Sequence, residues 1–257
     1  MVDYPVDYQV LEMTGYSLGK EVKFEEVILG GRKMRFPVEY NDQLRISANF
    51  TISSEKARKM LPSKRLEPIE TKPDVAILSI IAYEYHKIQG LKPYNEFGTF
   101  IPVNYRRENG SLGEPGVYCL HLPVTTEMAR WGGVAIYGFP KIMAEIDWEY
   151  GKNSSSCAVW HDGKTVAKLT VNKLETKIVT QKSICYTCKD GSILKSLVET
   201  EGQVGVARDP AGAKIELGDH KIAEDLKQLG ISHEAFEYQY VPKMYMLLHQ
   251  PSEQLAP

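Results

Sequence analysis

Residues 44–52 alternate without a break, setting Leu44, Ile46, Ala48, Phe50 and Ile52 against Arg45, Ser47, Asn49 and Thr51. A period of two places the apolar set on one face of a pleated strand and the polar set on the other. Similar stretches recur at short intervals. Residues 21–29 read as a strand closed by Gly30-Gly31, and residues 75–83 form a dense apolar run. Residues 98–106 carry an internal Pro102, which predicts an edge or a bulge. Residues 117–122 and 235–249 follow the same pattern, the latter broken at Pro242. Turn signals lie between them at Asn109-Gly110, Glu114-Pro115-Gly116, Asp162-Gly163, Asp190-Gly191, Glu201-Gly202 and Asp209-Pro210-Ala211-Gly212.

Helical signals are few and short. Ser53 or Ser54 caps a helix ending near Leu61-Pro62. Thr125 or Thr126 caps a second, with Gly132-Gly133 as its expected stop. Residues 220–229 place Ile222, Leu226 and Leu229 on one face of a third. Helices therefore do not alternate with strands, which favours a β-rich barrel or sandwich over a βαβ fold. Residues 1–20 carry little pattern and read as an irregular N-terminal arm, and residues 251–257 as a frayed tail. No linker-like shift in composition divides the chain, so residues 1–257 read as one domain.

Charge and composition exclude several classes. Thirty-one basic and 33 acidic residues give a formal charge of −2, with no electrostatic footprint for nucleic acid or an anionic membrane. The opening MVDYPVDYQVLEM has neither a basic start nor an apolar block, which predicts no secretory signal. Four cysteines in 257 residues suit a reduced, cytoplasmic setting. Cys185-Tyr186-Thr187-Cys188 is a single CxxC without a partner motif, so structural cysteines are favoured over a redox or zinc pair. The six histidines show no metal-ligand spacing, and no phosphate-binding glycine loop or nucleophile elbow occurs.

One lysine stands apart. Lys141 follows Gly138-Phe139-Pro140 within an apolar stretch. A lysine amine attacks a carbonyl only when unprotonated, and removal from water favours that form. A regular strand over residues 141–148 would instead put Lys141 on a polar face with Met143, Glu145 and Asp147. Both readings hold together if the mixed face lines a barrel lumen while the apolar face packs under an outer layer. Activation then requires Glu145 and Asp147 to sit away from the amine.

Gly138-Phe139-Pro140-Lys141 resembles the lysine motif of the acetoacetate decarboxylase family, and residues 95–105, NEFGTFIPVNY, resemble its glutamate-bearing strand at a similar spacing. Ala57-Arg58-Lys59-Met60-Leu61-Pro62 resembles the family's early helix and its exit. The resemblance implies a mainly β (α+β) fold: a closed, cone-shaped antiparallel β-barrel with flanking strands and a few short helices, often in homo-oligomers. It implies that Lys141 forms a Schiff base with a small-molecule keto acid, that Glu96 moves a proton, and that no metal or organic cofactor is needed. Decarboxylation of a β-keto acid is the default activity. A Schiff-base aldolase, dehydratase or cyclase on a larger keto acid, or a non-catalytic barrel binding an apolar carbonyl ligand, are the alternatives.

The chain departs from the family pattern at several points. The lysine that usually follows the reactive one is Ile142, and Gly133-Val134-Ala135 stands where the family tends to carry Gly-Arg-Glu. A second family glutamate falls near Ser79. The early family arginine falls nearest Gln43, with Arg45 two residues on as the candidate for holding a substrate carboxylate.

Overall fold

The structure, a computed structural model, describes residues 10–17, 20–29 and 31–257. Strands β1 (Val10–Ser17), β2 (Lys20–Leu29) and β3 (Arg32–Phe36) form an antiparallel sheet. Then come β4 (Val38–Ser53), α1 (Ser54–Met60), β5 (Leu66–Pro68), β6 (Glu70–Lys72), β7 (Val75–Ile88), β8 (Tyr94–Arg106) and β9 (Leu112–Val124). Helix α2 (Glu127–Tyr137) leads into β10 (Lys141–Met143) and β11 (Glu145–Tyr150). The chain continues through β12 (Ser154–His161), β13 (Lys164–Asn172), β14 (Lys177–Lys189) and β15 (Ser192–Ala207). It closes with β16 (Ala213–Leu217), α3 (Lys221–Gln228) and β17 (Glu237–Leu255).

Seven strands in the order β9-β14-β15-β17-β4-β7-β8 close into a barrel where β8 pairs with β9. All neighbours are antiparallel except at one seam, where Cys185 and Tyr186 of β14 lie parallel to Val117 and Tyr118 of β9. A second antiparallel sheet, β11-β12-β13-β16, covers one side. The largest core lies between this sheet and the outer face of β4, β7 and β8, with α1 and α3 completing it. Phe50, Leu78, Ile80 and Leu169 are fully enclosed there. Each such side chain contributes about 1.5–3 kcal/mol by leaving water.

The alternation in β4 explains the barrel. Leu44, Ile46, Ala48, Phe50 and Ile52 belong to the core under the outer sheet. Arg45, Ser47 and Asn49 line the lumen instead of facing bulk water. The polar face is thus an inner wall.

Several expectations are corrected. Residues 10–17 are not an irregular arm but a strand, paired with β2 from Val10↔Val27 to Ser17↔Lys20; residues 1–9, 18 and 19 lie outside those described. The tail is not frayed at residue 251, because β17 runs on to Leu255, which pairs with Ile193. Pro115 and Gly116 form no turn but sit inside β9. A Cβ at Gly116 would stand 2.6 Å from the Ile184 carbonyl, so glycine here permits the close approach of β14 at the parallel seam. Glu201-Gly202 forms no hairpin; it lies within β15, where Gly202 is pressed against Met244. Gly132 and Gly133 do not stop α2, which ends five residues later at left-handed Gly138.

Other signals hold. Asp162-Gly163 and Asp190-Gly191 join β12 to β13 and β14 to β15. Ser53 caps α1, accepting from the Lys56 N–H. Pro102 falls where β8 exchanges one partner for another: β7 pairs as far as Phe100 and β5 begins at Val103. Its missing N–H costs no ladder bond at that gap. Among the described residues, no helix is long and apolar enough to cross a membrane.

Candidate active site

The segment after α2 decides where Lys141 points. Gly138 ends the helix with its N–H shared between the Gly133 and Val134 carbonyls, and Pro140 cannot continue a helix. Lys141 then opens β10, paired in parallel with Leu122 of β9. The strand breaks at Ala144, whose N–H donates to the Val124 carbonyl, and β11 leaves to join the outer sheet. Residues 141–148 are therefore not one regular strand. Glu145 and Asp147 are exposed, Ile146 is buried in the outer core, and Lys141 is 9 % exposed.

Glu96 approaches from the other side of β9. Glu96 pairs with Val124, while Lys141 pairs with Leu122, two residues away on the same strand. Lys141 Nζ lies 2.7 Å from Glu96 Oε2, with both side chains buried. The second oxygen, Oε1, accepts from the Tyr85 hydroxyl at 3.1 Å. The amine thus does not sit in a wholly apolar pocket, as the flanking sequence alone suggested; its surroundings are one carboxylate and a ring of aromatic side chains. Its nitrogen lies 5.6 Å from the centre of the Tyr94 ring and 5.7 Å from that of Phe139, within cation–π reach.

Four tyrosines stand around the carboxylate. Tyr83 stacks on Tyr85, Tyr85 packs on Tyr40 and Tyr94, and the Tyr40 and Tyr94 hydroxyls are 3.4 Å apart. Burial, reinforced by Glu96, pushes Tyr85 well above the usual phenol range. Burial pushes Tyr83 up to about 12, against the opposing pull of Arg45. Burial likewise raises Tyr40 and Tyr94. All four remain phenols at neutral pH and so keep their hydroxyl protons. None was singled out in the sequence. The signal was present in the alternation Ile81, Tyr83, Tyr85 along β7, but only barrel closure shows that this face is the lumen.

The lumen holds a cavity of about 250 Å³. Its wall includes Glu96, Lys141, Phe139 and three of the tyrosines, Tyr40, Tyr83 and Tyr85, and also a polar group: Arg45, Ser47, Asn49, Ser79, Gln181 and Gln239. Arg45 pairs with Tyr83, and Tyr83 with Glu96, so Arg45 and Glu96 stand two strands apart, roughly 10 Å between backbones. The Arg45 Nη2 donates to Gln239 at 2.6 Å, while its buried Nε has no partner among the described residues. Gln43 is fully buried, with both amide atoms unpartnered among those residues, and lies outside the cavity wall. Ser79 does line the cavity, and its hydroxyl donates to Asn49. Ile142 packs toward the outer core, as opposite strand faces require. Val134 is exposed, and neither it nor Ala135 belongs to the cavity wall.

Cys185 lines the lumen as a free thiol that burial pushes up to about 12, so it carries no thiolate. Cys188 is also free. Among the described residues, no group of three His, Cys, Asp or Glu side chains is placed to hold a metal ion.

The family description Acetoacetate decarboxylase (ADC) matches residues 30–251. No curated protein matches the chain. Solved structures share the fold. The acetoacetate decarboxylase of Legionella pneumophila is 15% identical, with a TM-score of 0.63 over 86% of this chain and 87% of that one. A second acetoacetate decarboxylase structure is 17% identical, with a TM-score of 0.64 over 87% and 91%. The enduracididine biosynthesis enzyme MppR, complexed with pyruvate, is 14% identical, with a TM-score of 0.59 over 84% and 90%.

Proposed function

The chain belongs to the acetoacetate decarboxylase family, and on that footing we propose that it is a lyase that forms a Schiff base between Lys141 and a keto acid. The observation that carries this reading is the buried contact of 2.7 Å between Lys141 Nζ and Glu96 Oε2 on the wall of a cavity. An amine must lose a proton before it attacks, and Glu96 is the atom group placed to take it. Tyr85 fixes the carboxylate from its other oxygen.

In the default reaction, Lys141 Nζ attacks the ketone carbon of a β-keto acid, and the carbonyl oxygen takes up protons and leaves as water. The protonated imine accepts the electron pair of the neighbouring carbon–carbon bond as carbon dioxide departs, leaving an enamine. Protonation at carbon, then hydrolysis, releases the ketone and the free lysine. Arg45, across the lumen, is the group that would hold a carboxylate.

A cavity of about 250 Å³ has the volume of roughly eight waters, more room than acetoacetate needs. That favours, as a second reading, an aldol, dehydration or cyclisation step on a larger keto acid with the same imine. A barrel that merely binds an apolar carbonyl ligand gains nothing from a buried ion pair, whose desolvation is costly. We further assign the chain to one catalytic domain over residues 1–257, working in the cytoplasm as a homo-oligomer.

Borohydride trapping tests the reading. The protein is incubated with acetoacetate or pyruvate, reduced, and weighed intact. A mass adduct that is lost in Lys141→Ala is expected; no adduct with any of a panel of keto acids sinks the proposal. Carbon dioxide release from acetoacetate then separates decarboxylation from the second reading.

A further inference from the structure

The lumen wall changes character along its length. Beside Lys141 it includes Leu122, the residue paired with the lysine, and the ring of Phe139. Along β4 it turns polar, with Ser47 and Asn49 following Arg45 on the inward face. At about 3.3 Å per residue they lie roughly 7 and 13 Å beyond Arg45, in the direction away from Tyr85. Ser47 pairs with Gln239 of β17, and Asn49 accepts from the hydroxyl of Ser79 at 2.7 Å. A second polar bank faces this one. Gln181 of β14 and Thr200 of β15 are cross-strand partners, and both belong to the cavity wall. In the closed ring of strands β14 stands three places from β4, so the two banks lie on opposite sides of the lumen.

Charge balance limits what can lie between them. Among the described residues, the wall carries one acid, Glu96, and two cations, Lys141 and Arg45. Glu96 and Lys141 offset each other, and Arg45 is held by the neutral amide of Gln239. One positive charge is left over, which matches a single carboxylate. Beyond it, the polar groups of both banks are hydroxyls and amides, each able to donate and to accept. A phosphate or a second carboxylate would find no cation in this part of the described wall. An alkyl arm would strip water from these groups and return no hydrogen bond. A hydroxylated arm meets both requirements.

We propose that the substrate is a keto acid with one carboxylate and an uncharged, polyhydroxylated arm that lies between Ser47 and Thr200. This rests on the Schiff-base reading and names its substrate class. Ser47 is buried inside the lumen, where a hydrogen bond to the arm is shielded from bulk water. A site built to bond a hydroxyl strongly rejects the analogue that lacks it.

Trapping with paired probes tests this. The acids 4,5,6-trihydroxy-2-oxohexanoate and 2-oxohexanoate differ only in the hydroxyls of the arm. For each, the readout is the maximal rate of adduct formation divided by the half-saturating concentration. Any ring-closed fraction of the hydroxylated acid is common to all variants and cancels when they are compared. A loss of folded protein cancels in the ratio of the two acids. Ser47→Ala and Thr200→Val should each lower the ratio of hydroxylated to plain acid, and the double variant should lower it at least about tenfold. Thr200→Ser keeps the hydroxyl and should keep the ratio near that of the wild type. An unchanged ratio in the double variant, or an equal fall in Thr200→Ser and Thr200→Val, overturns the proposal. So does an adduct with pyruvate but with neither longer acid. Absence of any adduct, pyruvate included, overturns the Schiff-base reading itself.

Discussion

The stem of Lys141 runs over the bare backbone of Gly133: a Cβ built on that glycine would stand 2.5 Å from Lys141 Cδ and 2.6 Å from Cε. The helix interior thus leaves a gap one side chain deep, and the lysine fills it on its way to Glu96. Gly133→Ala should displace the amine and slow adduct formation by about a hundredfold, as misplacement of a reacting group by an ångström can. Stability should change less. The gain of ~0.5–1 kcal/mol from replacing a helical glycine opposes an overpacking cost of about 1–3 kcal/mol. Trapping rates beside urea unfolding would show the split.

The Lys141–Glu96 pair is buried, with side chains 6% and 8% exposed. Removing one partner strands the other, so Lys141→Met or Glu96→Leu alone should cost on the order of 3 kcal/mol. The double variant should cost less than the sum of the two, because an apolar pair of similar volume leaves no buried charge. A double-mutant cycle by urea unfolding measures this; additive losses would contradict it.

Tyr85 keeps its proton because burial and Glu96 both hold it in the phenol form. Tyr85→Phe removes the donor to Glu96 Oε1 without changing the ring. A hydrogen bond to a charged group contributes about 1.5–3 kcal/mol, so trapping should slow by roughly ten- to a hundredfold if the bond positions the base. An unchanged rate would make the tyrosine a packing residue only.

The carboxylate-holding role proposed for Arg45 predicts that it distinguishes acids from neutral ketones. Arg45→Met should weaken the binding of acetoacetate by about ten- to a hundredfold while leaving acetone trapping little altered. The comparison is read from the concentration dependence of adduct formation. Equal losses for both ligands would point to a disturbed lumen instead.

Outside the lumen, His121 links the barrel to α3, with Nδ1 2.9 Å from Thr99 and Nε2 3.3 Å from Asp225. Burial lowers its pKa below the ordinary 6.5, although Asp225 pulls the other way. The unfolded chain therefore takes up this proton at a higher pH than the folded one. The contribution is complete above about pH 6.5 and is lost as pH falls toward the lowered folded value. Urea midpoints should decline from pH 7 to pH 5, and His121→Gln should flatten part of that decline.

Much of the secondary structure could be read locally. The alternation in residues 44–52, the two Asp-Gly hairpins and the Ser53 cap depend on neighbours in sequence, and all appear as expected. Glycine misled wherever its reason was distant. Gly116 and Gly202 looked like turns and Gly133 like a helix stop, yet each serves a close approach to a residue far along the chain or across a turn. A missing Cβ looks the same in sequence whether it frees the backbone or makes room for a neighbour.

For the site, the sequence by itself determined that Lys141 follows Gly138-Phe139-Pro140 within an apolar stretch and that β4 has one polar and one apolar face. It could not decide which face met water. That choice came with closure of β8 onto β9, which turned the polar face of β4 and the tyrosine face of β7 into an inner wall. Only the same closure brought Glu96 and Lys141 to opposite sides of one strand, 2.7 Å apart across 45 positions of chain. Periodicity is a local property of the backbone, whereas inside and outside are properties of a closed surface.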